Sequence, residues 1–215
     1  MTSLEATYRE LHTQEGWQPD PVQDRVVARL SEVAHDLDRF SGKGDGLLSR
    51  LFSAKGTSVP KGLYLWGGVG RGKSILMDLF FENVSSVPKR RVHFHAFMLD
   101  VHARVFQLRR DPANKGDPLK EVAKQIANET TLLCFDEFQV TDTADAMILS
   151  RLFKKMFERD IIVVATSNRP PNDLYLGGLN RDLFLPFIDL LTECSAVFHL
   201  DGDKWKLGPA PREEG

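Results

Sequence analysis

Eight consecutive residues constrain this chain more than any others: Gly67-Gly68-Val69-Gly70-Arg71-Gly72-Lys73-Ser74. They fit G-x-x-x-x-G-K-[ST], with the apolar run Leu63–Trp66 before them and a helical pattern after. Glycines let the chain turn from strand into helix with successive N–H groups facing one concavity, because no Cβ obstructs the curl. The helix N-terminus adds the positive end of its dipole. Such a loop holds phosphates. Lys73 is placed to reach the β- and γ-phosphates of a nucleotide, and the Ser74 hydroxyl to ligate a metal ion. Arg71 falls at an unrestricted position of the loop and reads as solvated. ATP with Mg2+ is the ligand pair this loop predicts.

A phosphate loop needs a sheet to carry it. The runs Leu63–Trp66, Val92–Phe97, Leu132–Phe135, Ile161–Thr166 and Ala196–Leu200 read as strands. The first four are short and apolar, as expected where helices cover both faces. Helical patterns separate them: Ile75–Glu82, Leu99–Arg109, a helix capped at Asp117-Pro118, Thr143–Glu158, and one from about Leu183 to Glu193. Alternation of this kind predicts an α/β chain with a parallel sheet and right-handed crossovers. Upstream, residues 1–60 read as a helical region and loop. Asp20-Pro21-Val22-Gln23 is a helix start with Asp as N-cap, Pro at the first position and Gln completing a capping box. A short helix is expected around Leu47–Phe52. The region 61–200 is the nucleotide-binding core, and 201–215 a polar tail rich in Gly and Pro.

Hydrolysis requires a metal-organising acid and a means of activating water. Thr131-Leu132-Leu133-Cys134-Phe135-Asp136-Glu137 supplies two acids at the C-terminal end of a buried strand, the Walker B arrangement. Asp136 is assigned to the Mg2+ shell and Glu137 to general-base polarisation of water. A second buried strand, Ile161–Thr166, ends in Ser167-Asn168; an Asn beside the acids can donate to the γ-phosphate and accept from water. Arg181 precedes the last helix, where an arginine can stabilise transition-state charge, with Arg169 as its rival.

Several features point elsewhere and are set aside. Asn114-Lys115-Gly116-Asp117 matches the guanine-reading N-K-x-D, but it precedes the acidic strand and follows polar residues, so Asp117 is read as an N-cap. His93 and His95 are expected to alternate on one strand face, with no Cys or carboxylate cluster to complete a metal site. Lys89-Arg90-Arg91 and Arg109-Arg110 are read as solvated basic turns. With 28 Lys and Arg against 30 Asp and Glu, and a net charge of −2, nucleic acid is not the expected partner. The two cysteines read as reduced, buried thiols. No apolar run approaches the roughly 20 residues of a membrane span. A cytoplasmic setting is expected, with a mitochondrial matrix location, its presequence absent from this chain, as the alternative.

Taken together, the motifs resemble the ZapE family of AAA+ ATPases, the bacterial cell-division type and its mitochondrial relatives. The residues that carry the resemblance are Leu63–Ser74, Val92-His93-Phe94-His95-Ala96-Phe97-Met98, Cys134-Phe135-Asp136-Glu137-Phe138-Gln139-Val140-Thr141-Asp142, Thr166-Ser167-Asn168-Arg169-Pro170-Pro171 and Phe184-Leu185-Pro186-Phe187-Ile188. The resemblance implies a P-loop three-layer sandwich, an AAA+ core of five parallel strands in the order 5-1-4-3-2. It implies ATP hydrolysis coupled to remodelling of a protein partner, a division or membrane-complex component. It also implies a homo-oligomer in which Arg181 acts in trans, and Gln23 near adenine as an alternative to its capping role. A helicase-loader-like nucleic-acid protein and a binding-only module are the competing classes. The family continues past the fifth strand into a helical lid, whereas this chain stops shortly after Leu200, so the lid subdomain is expected to be absent.

Overall fold

The protein is described here from a computed structural model, which covers residues 4–15, 20–41, 59–113 and 115–200. The helix expected around Leu47–Phe52, Asn114 of the N-K-x-D match and the tail 201–215 lie outside the described residues.

Two helices, α1 (Leu4–Glu15) and α2 (Pro21–Ser41), precede the sheet. The core then alternates: β1 (Gly62–Trp66), α3 (Lys73–Asn83), β2 (Lys89–His93), α4 (Phe94–Arg110), α5 (Pro118–Glu129), β3 (Leu132–Asp136), α6 (Thr143–Phe157), β4 (Ile162–Ser167), α7 (Leu185–Cys194) and β5 (Ser195–His199). Short 3-10 turns at Pro171–Asp173 and Arg181–Leu183 break up the long β4–α7 connection. All pairings are parallel and the order is β2-β3-β4-β1-β5, the expected 5-1-4-3-2 read from the other edge.

The three layers follow from period-two alternation in strands buried on both faces. Leu63, Leu65, Leu132, Cys134, Ile162 and Val164 point to one face, into an aliphatic core with α1, α2 and α3. Tyr64, Leu133, Phe135, Val163 and Ala165 point to the other, into a core with α4 to α7. That second core is a phenylalanine block. Phe138 stacks on Phe187 at 5.9 Å and meets Phe94 at 4.1 Å, and Phe153 lies edge-on to Phe187 at 5.1 Å. The N-terminal helices therefore share one core with the sheet: Tyr8, Val26, Leu30 and Leu37 are buried against it.

One boundary differs in kind from expectation. The strand predicted over Val92–Phe97 is Lys89–His93, and helix α4 begins at Phe94. The strand lies on the sheet edge, half-buried and built from Lys-Arg-Arg-Val-His, so it carries no apolar signature. The apolar Phe94, Phe97 and Met98 that suggested a strand occupy helical spacing instead. His93 and His95 consequently share no strand face: His93 closes β2 and His95 belongs to α4, both exposed. Lys89-Arg90-Arg91 is the edge strand itself, not a turn.

Candidate nucleotide site

The C-terminal ends of β1, β4 and β3 meet in one place. Trp66 pairs with Ser167 in register, Phe135 with Ala165, and the Gly67 amide donates to the Ser167 carbonyl at 3.1 Å. These strands set down the phosphate loop, the Asn168 segment and the acidic pair side by side.

The loop leaves β1 with Gly68, Val69 and Gly70 exposed and enters α3 at Lys73. Gly70 and Gly72 take φ of 76° and 80°, the left-handed region that glycine alone enters cheaply. Gly67 is required for a different reason: a Cβ there would sit 2.6 Å from the Leu200 carbonyl oxygen. Lys73 Nζ donates to the Gly67 and Gly68 carbonyls at 2.7 and 2.6 Å. Burial, then the neighbouring Arg71 charge, lower the Lys73 pKa, while Glu137 opposes them. Ser74 stands exposed at the start of α3. Arg71 is not solvated as expected. It is half-buried, its Nε lies 3.7 Å from where a Gly68 Cβ would be, and its Nη1 is buried without a hydrogen-bond partner. An orphaned guanidinium nitrogen beside exposed loop glycines and a helix N-terminus fits an anion with several acceptor oxygens.

Gln23 does not close a capping box. Asp20 Oδ1 accepts from the Val22 amide at 2.8 Å, but Gln23 Oε1 accepts from Tyr8 Oη at 3.0 Å. Its Nε2 makes a long contact of 3.5 Å to the Arg71 carbonyl. The buried Gln23 thus ties α1 and α2 to the phosphate loop.

At the end of β3, Asp136 is gripped by Arg91 of β2. Arg91 Nε donates to Asp136 Oδ2 at 2.7 Å and Nη2 to Oδ1 at 3.2 Å, while Nη1 donates to Asp78 of α3. Burial would lower the Arg91 pKa, but the hydrogen bonds it donates to Asp136 and Asp78 outweigh it and hold the guanidinium more firmly protonated than usual. The sequence reading placed this residue in a solvated basic turn, and the structure pairs it with two carboxylates instead. The available signal was its position on the strand neighbouring β3, which becomes visible only once β2 is placed correctly. Glu137 follows in a left-handed turn, φ 53°, braced by β4. The Glu137 amide donates to Thr166 Oγ1 at 3.3 Å, the Phe138 amide to the Thr166 carbonyl at 2.7 Å, and Ser167 Oγ to the Phe138 carbonyl at 2.7 Å. Glu137, Ser167, Asn168 and Arg169 line a common cavity of about 90 Å³.

Ser74 and Asp136 are hard oxygen donors, and no group of three or more His, Cys, Asp or Glu able to hold a metal occurs among the described residues. That donor set fits Mg2+, which takes one or two protein oxygens and completes its shell with phosphates and water. Arg181 is not in this cavity; its Nη2 donates to the Asn172 carbonyl at 2.5 Å and its Nε is buried without a partner. Asp117 is an N-cap as read, accepting from the Leu119 amide at 3.1 Å and pairing with Arg151 and Lys155. His102 pairs with Asp145 at 2.7 Å. Both cysteines are free thiols, and burial pushes that of Cys134 up to about 12. No helix among the described residues is long and apolar enough to cross a membrane.

A family model described as AFG1-like ATPase matches residues 1–210. The chain belongs to the AFG1-like ATPase family. Among its relatives, the cell division protein ZapE of Escherichia coli K12 is 43% identical over 194 residues, covering 86% of this chain and 50% of ZapE. Lactation elevated protein 1 homolog B of Danio rerio is 50% identical over 149 residues, 66% of this chain and 30% of that protein. This chain therefore spans about half the length of ZapE and under a third of the Danio rerio protein. In fold it is similar to AMPPCP-bound DnaA from Aquifex aeolicus, with a TM-score of 0.56 at 14% identity over 88% of this chain and 49% of DnaA. The AAA+ P-loop architecture expected from the motifs is thereby shown, and so is the ZapE-type resemblance.

Proposed function

We propose that this member of the AFG1-like ATPase family binds ATP with Mg2+ and hydrolyses it, and that the cycle remodels a protein partner. The observation that carries the reading is the meeting of three strand ends: the phosphate loop from β1, the acids from β3 and Asn168 from β4, with Glu137 and Asn168 on one cavity. The loop residues Gly67 to Gly72 cradle the phosphates. Lys73 exchanges its two loop carbonyls for phosphate oxygens, a stronger charge-assisted partner. Ser74 and Asp136 hold Mg2+, which when bound neutralises charge developing on the phosphates. Glu137 accepts the proton of the attacking water, and Asn168 orients that water against the γ-phosphate. Arg181 stands outside its own cavity, which supports its action on a neighbouring copy in a homo-oligomer.

The protein partner is proposed from the similarity to the cell division protein ZapE, as a component of the division apparatus, with a membrane-complex component as the alternative that the family resemblance implies. A nucleic-acid role is less well supported, because both arginines of the basic strand are already paired with carboxylates. Arg90 pairs with Asp100 at 3.2 Å and lies 3.7 Å from Glu129, Arg91 pairs with Asp136 and Asp78, and Lys89 sits over the Phe81 ring. The test is ADP release by the chain with Mg2+. Steady turnover that Glu137→Gln lowers by about 10²–10⁴-fold, with ATP affinity retained, is the expected result. ATP binding without turnover in the unmodified chain would leave only the binding-module reading.

A further inference from the structure

Arg91 of β2 reaches with one side chain to the acid at the end of β3 and to helix α3. Within β3 the residues 132, 134 and 136 share one face, the face covered by α3. Arg91 is the register partner of Cys134, so it projects on that same face. Its side chain is 23% exposed and that of Asp136 13%. All three guanidinium nitrogens are engaged: Nε and Nη2 by the two oxygens of Asp136, and Nη1 by Asp78. Asp78 lies four residues after Ser74, on the same side of α3. A single planar cation thus fixes the carboxylate at the end of β3 relative to the helix that carries Ser74.

We infer that Arg91 is the positioning residue of the metal-organising carboxylate, setting the orientation of Asp136 relative to Ser74 for Mg2+. The inference rests on the proposed nucleotide site. The physical argument is one of lone pairs. An ionised carboxylate has about four acceptor sites, and the fork from Arg91 occupies one on each oxygen. Each oxygen keeps another site for the metal or its water. The fork also locks the plane of the carboxylate, as a lysine, being a point charge, does not. Outer partners of metal-binding groups are worth about 10–100-fold in metal affinity. An arginine serving only as a staple between β2, β3 and α3 would instead affect every property of the site alike.

The experiment measures binding, not turnover. A fluorescent ATP analogue is titrated onto the full chain in EDTA, and again while MgCl2 is varied at fixed nucleotide, with a thermal melt of each variant. For Arg91→Lys, affinity in EDTA stays within about threefold of the unmodified chain, while the Mg2+ concentration at half effect rises about tenfold or more. Asp78→Asn cuts only the arm to α3 and raises that concentration by a smaller factor; it carries the test alone if Arg91→Lys does not fold. An unchanged Mg2+ midpoint in the folded variants, or equal losses with and without Mg2+, overturns the inference. Failure of the unmodified chain to bind the nucleotide at all would instead sink the proposed site.

Discussion

Two turns face each other across this site, and they are bent by opposite means. The phosphate loop after β1 bends at Gly70 and Gly72, whose φ of 76° and 80° cost glycine little. The turn after β3 bends at Glu137, φ 53°, where a side chain costs roughly 1–2 kcal/mol. The first turn is closed by its own Lys73, which donates back to two of its carbonyls, while Ser167 and Gln23 hold its flanks at Gly67 and Arg71. The second is held from outside, by Thr166 and Ser167 of β4 and by the Phe138 ring in the aromatic block. A loop meant to wrap a ligand gains from carrying its bend in its own glycines. A carboxylate proposed as the base must keep one geometry and is better braced by a neighbouring strand, and the strain at Glu137 shows that the brace outweighs local preference.

The comparison is tested most severely at Lys73. If the loop is self-contained, Lys73→Ala removes its charged anchor and lowers ATP affinity about 100-fold, the worth of a charge-assisted contact at ~1.5–3 kcal/mol. The melting temperature should scarcely move, because the lysine bonds only to carbonyls of its own loop. Titration calorimetry beside a thermal melt reads both. Unchanged affinity would remove the loop from the site altogether.

Thr166→Val takes the brace from the other turn. The Glu137 amide then loses its hydroxyl acceptor, a cost of about 1–2 kcal/mol in stability. Turnover should fall about tenfold while ATP affinity holds within about threefold, since the phosphate loop is not touched. Thr166→Ser, which keeps the hydroxyl, restores both. A valine variant that loses affinity as much as turnover would show that the two turns are one unit, and the contrast would be lost.

This contrast also explains what could be read from sequence. The phosphate loop was legible because its conformation is written in its own glycines, and β1, β3 and β4 because double burial makes them continuous apolar runs. The strand order was legible only through resemblance: nothing local to Leu63–Trp66 says that it pairs with β4 and β5. Strand β2 was misread because an edge strand need not be apolar, and its Arg91 was read as solvated because an ion pair between residues 91 and 136 leaves no periodic trace. The long β4–α7 connection was equally opaque. Gly178 is fixed there by the Tyr175 ring, which a Cβ would meet at 2.3 Å, a constraint visible only after folding.

The smallest effects sharpen the comparison best, because they should differ in sign. Gly70 has no atom within 4 Å of the position its Cβ would take, so Gly70→Ala meets only the backbone penalty of a left-handed residue, about 1 kcal/mol of destabilisation. Glu137→Gly relieves the same penalty at the other turn. Part of that gain is cancelled by the greater freedom of glycine in the unfolded chain, leaving a net stabilisation of about 0.5 kcal/mol. Urea unfolding of the two variants, with equal slopes as the check that the unfolded states are comparable, measures both. The glycine variant should be the more stable and yet catalytically dead, having lost the carboxylate. If both substitutions destabilise, the turn at Glu137 is held for the sake of its side chain's contacts and not against the preference of its backbone.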